Sequence, residues 1–556
     1  MLNHDRRLIE DLIPIREISS EASREKSLRH GNISTLHLWW ARRPIVAARA
    51  AVYGALVPAP SDPKDRDTYM ERMRKLCSWD IPHGVLEQAR QDILNANGGQ
   101  PPRVLDMFAG GGSIPLEALR LGCEAYAVDL NPVAHIIELC TLVYPQKYGP
   151  SLVKDIKKWG EWVIERARAQ LIEFYPAPQS EQDLDNEMVQ STLTGEQGSI
   201  QNGALTPIAY LWTRTVPCPN PTCGATVPLV RQTWLRKKEG NYVALRMKPD
   251  HSSKKVRFER AQSATLKGLG FNPEEGSQRG NATCLFCGAI ASIDYIKEQG
   301  RKKQISYQMM AIVTTKEGGR GKVYLAETDI QHYIPNSKEI ESKIDQLCIQ
   351  MQLTTPEEPL PVRGTLGFRI QAYGMLKWKD LFTPRQLLAL LTFTAEVHYA
   401  HTAMLEEGIQ AERATAVTTY LAFMVDRLAD FNSSLCRWVS AGDKVASTYG
   451  RQALPMIWDF AEINPFGNGS GNIRDSLNRS SEAIENCIFN TNNTSSVIRT
   501  SATGLPFESA SMDAVITDPP YYDNVPYKVM WTLSGRNVCS HNLFYVDILV
   551  KCLHKR

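Results

Sequence analysis

Residues 103–143 constrain the fold more than any other stretch. "RVLDMF" is a short apolar run opening into a glycine loop, and "SIPLEALRLG" has the spacing of an amphipathic helix closed by Gly122. "EAYAVDL" reads as a second strand and "PVAHIIELCTLV" as a second helix. Strand, glycine loop, helix, strand, helix is the opening of an open parallel sheet, because parallel neighbours need a crossover that is usually helical. Such sheets bind ligands beyond the carboxyl ends of their strands. Asp106, Phe108, Gly110, Gly111 and Gly112 stand at that edge, and glycines there let a ligand approach the backbone closely. Asp129 ends the next strand, where its carboxylate can accept hydrogen bonds from two ribose hydroxyls. A dinucleotide fingerprint would need a third glycine; Ser113-Ile114-Pro115 follow Gly112 instead. A tight turn without a ligand is the plainer alternative.

A second chemical motif lies far away in "VITDPPYYDNVPYK", residues 515–528, where an apolar run leads into Asp518-Pro519-Pro520-Tyr521. This pattern suits methylation of an exocyclic amine on a nucleobase. Such an amine is a poor nucleophile because its lone pair is delocalised into the ring. Hydrogen bonds from its two N–H groups to the Asp518 carboxylate and the Pro519 carbonyl favour a pyramidal nitrogen, whose lone pair can then meet a methyl donor in line. The two prolines stiffen the turn and set those acceptors in advance. Tyr521 can stack on a base flipped out of the helix. Aspartate in the first position favours adenine. A cytosine-ring methylase would need a Pro-Cys nucleophile; Pro217-Cys218 offers one, but Cys218 has another use.

That use is a metal. "CPNPTCG" supplies Cys218 and Cys223, and "CLFCG" supplies Cys284 and Cys287. Both pairs end in Cys-Gly, the knuckle turn in which backbone N–H groups face thiolate sulfurs. Four thiolates give closed tetrahedral coordination, which is a structural Zn2+ site. The other eight of the 12 cysteines are scattered singly and read as small buried hydrophobes. Between the pairs, residues 231–260 hold ten Lys/Arg against three Asp/Glu, with Trp234, Tyr242 and Phe258 interleaved. That mixture suits phosphate contact with base stacking, or else a solvated basic face.

The remaining chain divides by composition: 1–175 with the glycine loop, a polar aperiodic linker at 176–204, the cysteine and basic segment at 205–300, a mixed insertion at 301–365, a helical region at 366–490, and 491–556 with the Asp-Pro-Pro-Tyr strand. In the helical region Thr383 and Pro384 have the pattern of an N-cap and first helical position. No apolar run approaches the roughly 20 residues of a membrane span, and the start lacks an apolar signal core. A cytoplasmic location is therefore expected.

Taken together, "SREKSLRHGNISTLHLWWARRP", "VLDMFAGGGSIPLEALRLG", "YLWTRTVPCPNPTCGA", "LFTPRQLLAL", "LADFNSSLCRW", "GRQALPMIWDFAEINPF" and "DAVITDPPYYDNVPY" resemble the prokaryotic adenine-specific DNA methylases that contain a zinc ribbon. The resemblance implies an α/β chain with a Rossmann-like, S-adenosylmethionine-dependent methyltransferase sheet, an inserted zinc ribbon and a helical insertion. It implies S-adenosylmethionine at Asp106, Phe108, Gly110, Gly112 and Asp129, DNA as partner, and an association with phage defence or restriction-modification and its partner proteins. "WWARRP" reads either as an element contacting the methionine end of that cofactor, or as helix packing by Trp39 and Trp40 with Arg42 and Arg43 solvated. The chain departs from the family twice. Ser501 stands where an acid often follows the third strand, and only 28 residues follow Lys528, whereas each further strand–helix unit takes about 30. A sheet incomplete at its C-terminus is therefore expected, from truncation or from a split enzyme completed by a second polypeptide. The alternatives are an inactive nucleic-acid-binding remnant and an RNA guanine amine methyltransferase.

Overall fold

The computed structural model of the chain describes residues 6–28, 30–39, 41–176, 205–316, 321–326, 334–364, 367–450, 453–489 and 495–519. The expected linker beyond residue 176, Trp40, Pro520 and Tyr521 lie outside them.

The N-terminal helices α1 (Ile15–Glu25) and α2 (Ile45–Leu56) precede the strand–loop–helix unit. A turn entering a helix near Pro44 was expected over residues 34–57, and α2 starts just after that proline, whose backbone caps it at φ −58°. Residues 36–39 and 41–43 run as a strap to the glycine loop. β1 (Arg103–Asp106) and β2 (Glu124–Asp129) pair in parallel, joined by α3 (Ser113–Arg120). The Arg49 guanidinium of α2 donates to Glu117 of α3 at 2.5 Å, with both side chains buried, so a buried ion pair joins the helix after the strap to the helix after the loop. α4 (Pro132–Glu138) follows, capped by the Asn131 side chain on the N–H of Val133 at 2.9 Å, and continues into a π-helical turn at Leu139–Val143.

The chain then leaves the sheet. α5 (Pro150–Leu171) leads to β3 (Leu205–Pro217), the central strand of an antiparallel sheet. β3 carries β4 (Thr226–Pro228) at its end. β5 (Trp234–Lys238), β6 (Asn241–Asp250) and β7 (Lys255–Ser263) form a separate antiparallel sheet, and β8 (Ala282–Thr283) with β9 (Ile290–Ala291) a short hairpin. β10 (Ser306–Lys316) and β11 (Lys322–Ala326) return to β3. Helices α6 (Pro384–Glu406) and α7 (Ala411–Phe431) pack on α5, and the Thr383–Gln386 capping box starts α6 as expected, its hydroxyl accepting from the Gln386 N–H at 3.2 Å. β12 (Arg437–Val439) pairs with β13 (Lys444–Ala446), and β14 (Asp459–Ile463) pairs with β3. The boundaries at 300/301 and 365/366 therefore cut through one antiparallel sheet, whose long-range pairings leave no mark in local composition.

α8 (Ile473–Glu485) packs on α5; a Cβ at Gly160 would lie 2.5 Å from a Leu477 methyl, which explains glycine inside that helix. The chain then rejoins the parallel sheet as β15 (Ser495–Arg499), beside β2, and β16 (Ala514–Val515), on the far side of β1. The resulting order is β15-β2-β1-β16, all parallel. Strand order switches direction between β1 and β16, the place where open sheets form a ligand crevice. β16 was expected to be a buried strand; Val515 is in fact 54% exposed. No helix among the described residues is long and apolar enough to cross a membrane.

Where the antiparallel sheet meets the helices, Arg385 donates to both oxygens of Glu462 at 2.7 and 3.0 Å. Trp212 adds a third donor at 2.9 Å, and the guanidinium lies 4.1 Å from the Tyr210 ring centroid. Both charges are buried. Truncating one partner leaves the other charge uncompensated in the core, so Arg385→Ala is expected to lower the unfolding free energy by about 3–5 kcal/mol, read by urea denaturation.

Candidate functional site

The glycine loop follows β1. Gly110 and Gly112 take left-handed φ values of +55° and +76°, which glycine alone adopts without strain. Asp129 secures the loop: its carboxylate accepts the Gly110 N–H at 2.9 Å and the Asn131 N–H at 2.8 Å. Asp106, buried at the end of β1, accepts the Phe108 N–H at 3.0 Å and the Thr517 hydroxyl at 2.7 Å. Thr517 immediately precedes Asp518. Two motifs more than 400 positions apart thus meet through one hydrogen bond. Phe108 stands partly exposed on the loop.

The strap completes the site. Trp39 lies against the loop, where a Cβ at Gly110 would sit 2.7 Å from its indole nitrogen and one at Gly111 3.3 Å from its Cδ1. Arg43 forms an ion pair with Asp518, and its backbone carbonyl accepts the Ser113 hydroxyl at 2.9 Å. The guanidinium of Arg42 donates to Asn32 at 2.9 Å. The reading of Arg42 and Arg43 as solvated helix residues is thereby corrected, because the strap is not helical and both side chains reach polar partners. Ser501, expected where an acid often stands, lies in a turn after β15, its hydroxyl 2.8 Å from that of Thr503.

One residue of this site escaped the sequence reading. Glu138 closes α4 with no solvent exposure, and neither carboxyl oxygen has a hydrogen-bond partner. Its Cγ lies 3.7 Å from where a Gly112 Cβ would be. Burial, then the neighbouring Asp129 and Asp106, push its pKa well above the usual carboxylate range. Burial likewise raises Asp129, and raises Asp106 to about 6 against the hydrogen bonds from Thr517 and Phe108. A lone glutamate inside the apolar pattern "PVAHIIELC" was the available signal.

The four cysteines converge. Their sulfurs lie within 4.8 Å of one another, with Cys218–Cys287 at 3.6 Å and Cys223–Cys284 at 3.9 Å. Thiolates bound to a tetrahedral zinc at about 2.3 Å stand about 3.8 Å apart, so the cage fits such an ion. Backbone N–H groups of Asn220, Ala225 and Ala289 face the sulfurs of Cys218, Cys223 and Cys287, and Gly224 and Gly288 take the positive φ of the knuckle turn. The Ala289 N–H lowers Cys287 to about 7. Among the singly placed cysteines, Cys77, Cys123, Cys140, Cys436 and Cys487 are buried as expected, whereas Cys348 is half-buried; Cys539 and Cys552 lie outside the described residues.

The basic segment forms β5, β6 and β7, and here expectation and structure part. Phe258 and Trp234 are buried in the core, which excludes the Phe258 ring as a stacking platform on the surface. Several of the cations are neutralised by acids: Lys237 by Glu274, Lys238 and Arg236 by Asp443, Lys248 by Glu259 and Arg257 by Asp250. Two of those acids lie outside the segment, so a local charge count could not include them.

A family model described as "Protein of unknown function (DUF1156)" matches residues 12–77, which hold the strap and α2. No curated protein and no solved structure matches the chain.

Two outcomes follow from this geometry. Because the folded pKa of Glu138 is raised, the native state keeps a proton that the unfolded chain releases, and stability falls as pH rises above the unfolded value of about 4.3. Glu138→Gln removes that loss, so its melting temperature should increasingly exceed the wild type's from about pH 5 to pH 8; parallel curves would show that Glu138 is not the proton-holding group. Cys223→Ser should lower bound zinc by metal analysis and destabilise the cysteine-bearing segment, as closed thiolate sites contribute folding free energy.

Proposed function

We propose that the chain is an S-adenosylmethionine-dependent methyltransferase acting on the exocyclic amine of adenine in DNA, with structural zinc at Cys218, Cys223, Cys284 and Cys287. The observation that carries the reading is the hydrogen bond from Thr517 to Asp106, which joins the glycine-loop strand to the strand ending in Asp518 across the switch point of the parallel sheet. The order β15-β2-β1-β16 corresponds to third, second, first and fourth strands counted along that sheet, and supports a doubly wound cofactor-binding unit.

The residues present fit the cofactor. Gly110 and Gly112 leave the loop backbone bare, and Asp129 retains acceptor capacity after receiving two N–H groups, since a carboxylate offers about four lone-pair sites. Asp106, Asp129 and Glu138 surround the loop with carboxyl groups, matching a ligand that bears hydroxyls and positive charge. The bound cofactor would supply a methyl group on a sulfonium sulfur. Asp518 and the Pro519 carbonyl accept the N–H groups of the amine, and Arg43 orients the Asp518 carboxylate through its ion pair. A charge-assisted pair of this kind is strong enough to hold one rotamer of the Asp518 side chain.

Calorimetry with S-adenosylmethionine on zinc-loaded protein should show binding that Asp129→Ala weakens. Asp518→Ala should retain cofactor binding while methyl transfer to adenine-containing DNA falls about a hundredfold or more, as expected when a reacting group loses its positioning. Absence of cofactor binding in folded protein would overturn the reading. Equal transfer to RNA guanine would redirect it.

A further inference from the structure

Away from the glycine loop, the antiparallel half encloses a cavity of about 450 Å³ between β3, β5, β6, β12 and β14. Its size falls within the range of small-ligand sites, roughly 300–1,000 Å³. Three tryptophans line it: Trp234, Trp438 and Trp458. Each is held by other contacts. The Trp438 indole donates to the Leu235 carbonyl at 2.6 Å, Trp458 meets Tyr373 edge-on at 5.2 Å, and Trp234 donates to Glu274 at 3.3 Å. Rings fixed in this way lose little entropy when a planar group packs on them.

The same cavity is rimmed by the exposed residues Arg231, Arg279 and Arg437, none of which is ion-paired among the described residues. They contrast with the paired cations of β5–β7. The acid in the lining, Asp459, accepts the backbone N–H groups of Arg231 and Gln232 at 2.8 and 3.4 Å, which fixes the turn carrying Arg231. Burial raises this carboxyl to about 6, and the N–H groups of Arg231 and Gln232 offset part of its charge.

We propose that this cavity binds one unstacked nucleotide of a nucleic acid, its base against the half-buried Trp438 and Trp458 and its phosphate at the three arginines. Aromatic walls with guanidinium donors are the chemistry by which proteins take single nucleotides without reading a duplex. The site lies in the zinc-bearing half and needs no methyl donor, so it stands apart from the proposed methyl-transfer reaction.

The test is tryptophan fluorescence of the full, zinc-loaded chain titrated with the four deoxynucleoside 5′-monophosphates and, separately, with ribose 5-phosphate. Saturable quenching by at least one nucleotide is expected, with ribose 5-phosphate binding much more weakly. An Arg279→Ala, Arg437→Ala variant that keeps its zinc and circular dichroism should weaken nucleotide binding about tenfold or more. Asp129→Ala and Asp518→Ala should leave it unchanged, which separates this cavity from the glycine-loop site. The proposal is overturned by no saturable binding, by equal affinity for ribose 5-phosphate, by unchanged affinity in the arginine variant, or by loss in Asp129→Ala.

Discussion

The pairing of Val104 with Ala514 and of Leu105 with Val515 is the constraint on which the chemistry of this chain depends. It is a short seam, strengthened at its ends by the Ile516 N–H on the Leu105 carbonyl at 2.9 Å and the Arg103 N–H on the Asp513 carboxylate at 2.7 Å. A parallel register slip by one residue would turn each side chain to the other face of the sheet. Asp518 would then leave the edge where Asp106 and the glycine loop lie. The seam therefore specifies which face of the motif meets the loop, in a way that no helix packing could.

Around that seam the molecule gathers carboxyl groups that would separate in water. Asp106, Asp129 and Glu138 are drawn together by backbone geometry, and burial raises all three. The backbone answers part of this concentration through the N–H groups of Phe108, Gly110 and Asn131. Arg43 answers part of it at Asp518. Glu138 is left without an answer, and a protonated carboxyl is the form its surroundings favour. The strap that brings Arg43 and Trp39 leads into α2, which the buried Arg49–Glu117 pair ties to the helix after the loop, so the site is held by α2 as well as by the sheet.

Much of this was legible in residues. The strand–loop–helix unit, the Thr383 cap, the two long helices and the cysteine cage each have a local signature: apolar periodicity, a capping side chain, a Cys-Gly turn. What was illegible shares one cause. Whether Arg43 is solvated, whether Phe258 stacks or is buried, and whether a basic segment stays basic depend on partners tens or hundreds of residues away. Glu462 pairs with Arg385, and Asp443 with Lys238, across such gaps. The antiparallel sheet shows the same limit, since β3 takes its neighbours from β10 and β14 and composition divides the chain between them.

The sequence by itself determined the element types and the residues able to do chemistry, because dihedral preference, capping and thiolate spacing act over a few residues. Tertiary structure alone decided which of those residues meet. It joined Asp106 to Thr517, laid Trp39 on Gly110 and Gly111, buried Glu138 unpaired, and set three arginines around a tryptophan-lined cavity. Those outcomes follow from long-range strand pairing and from desolvation, and both are properties of the assembled core rather than of any segment within it.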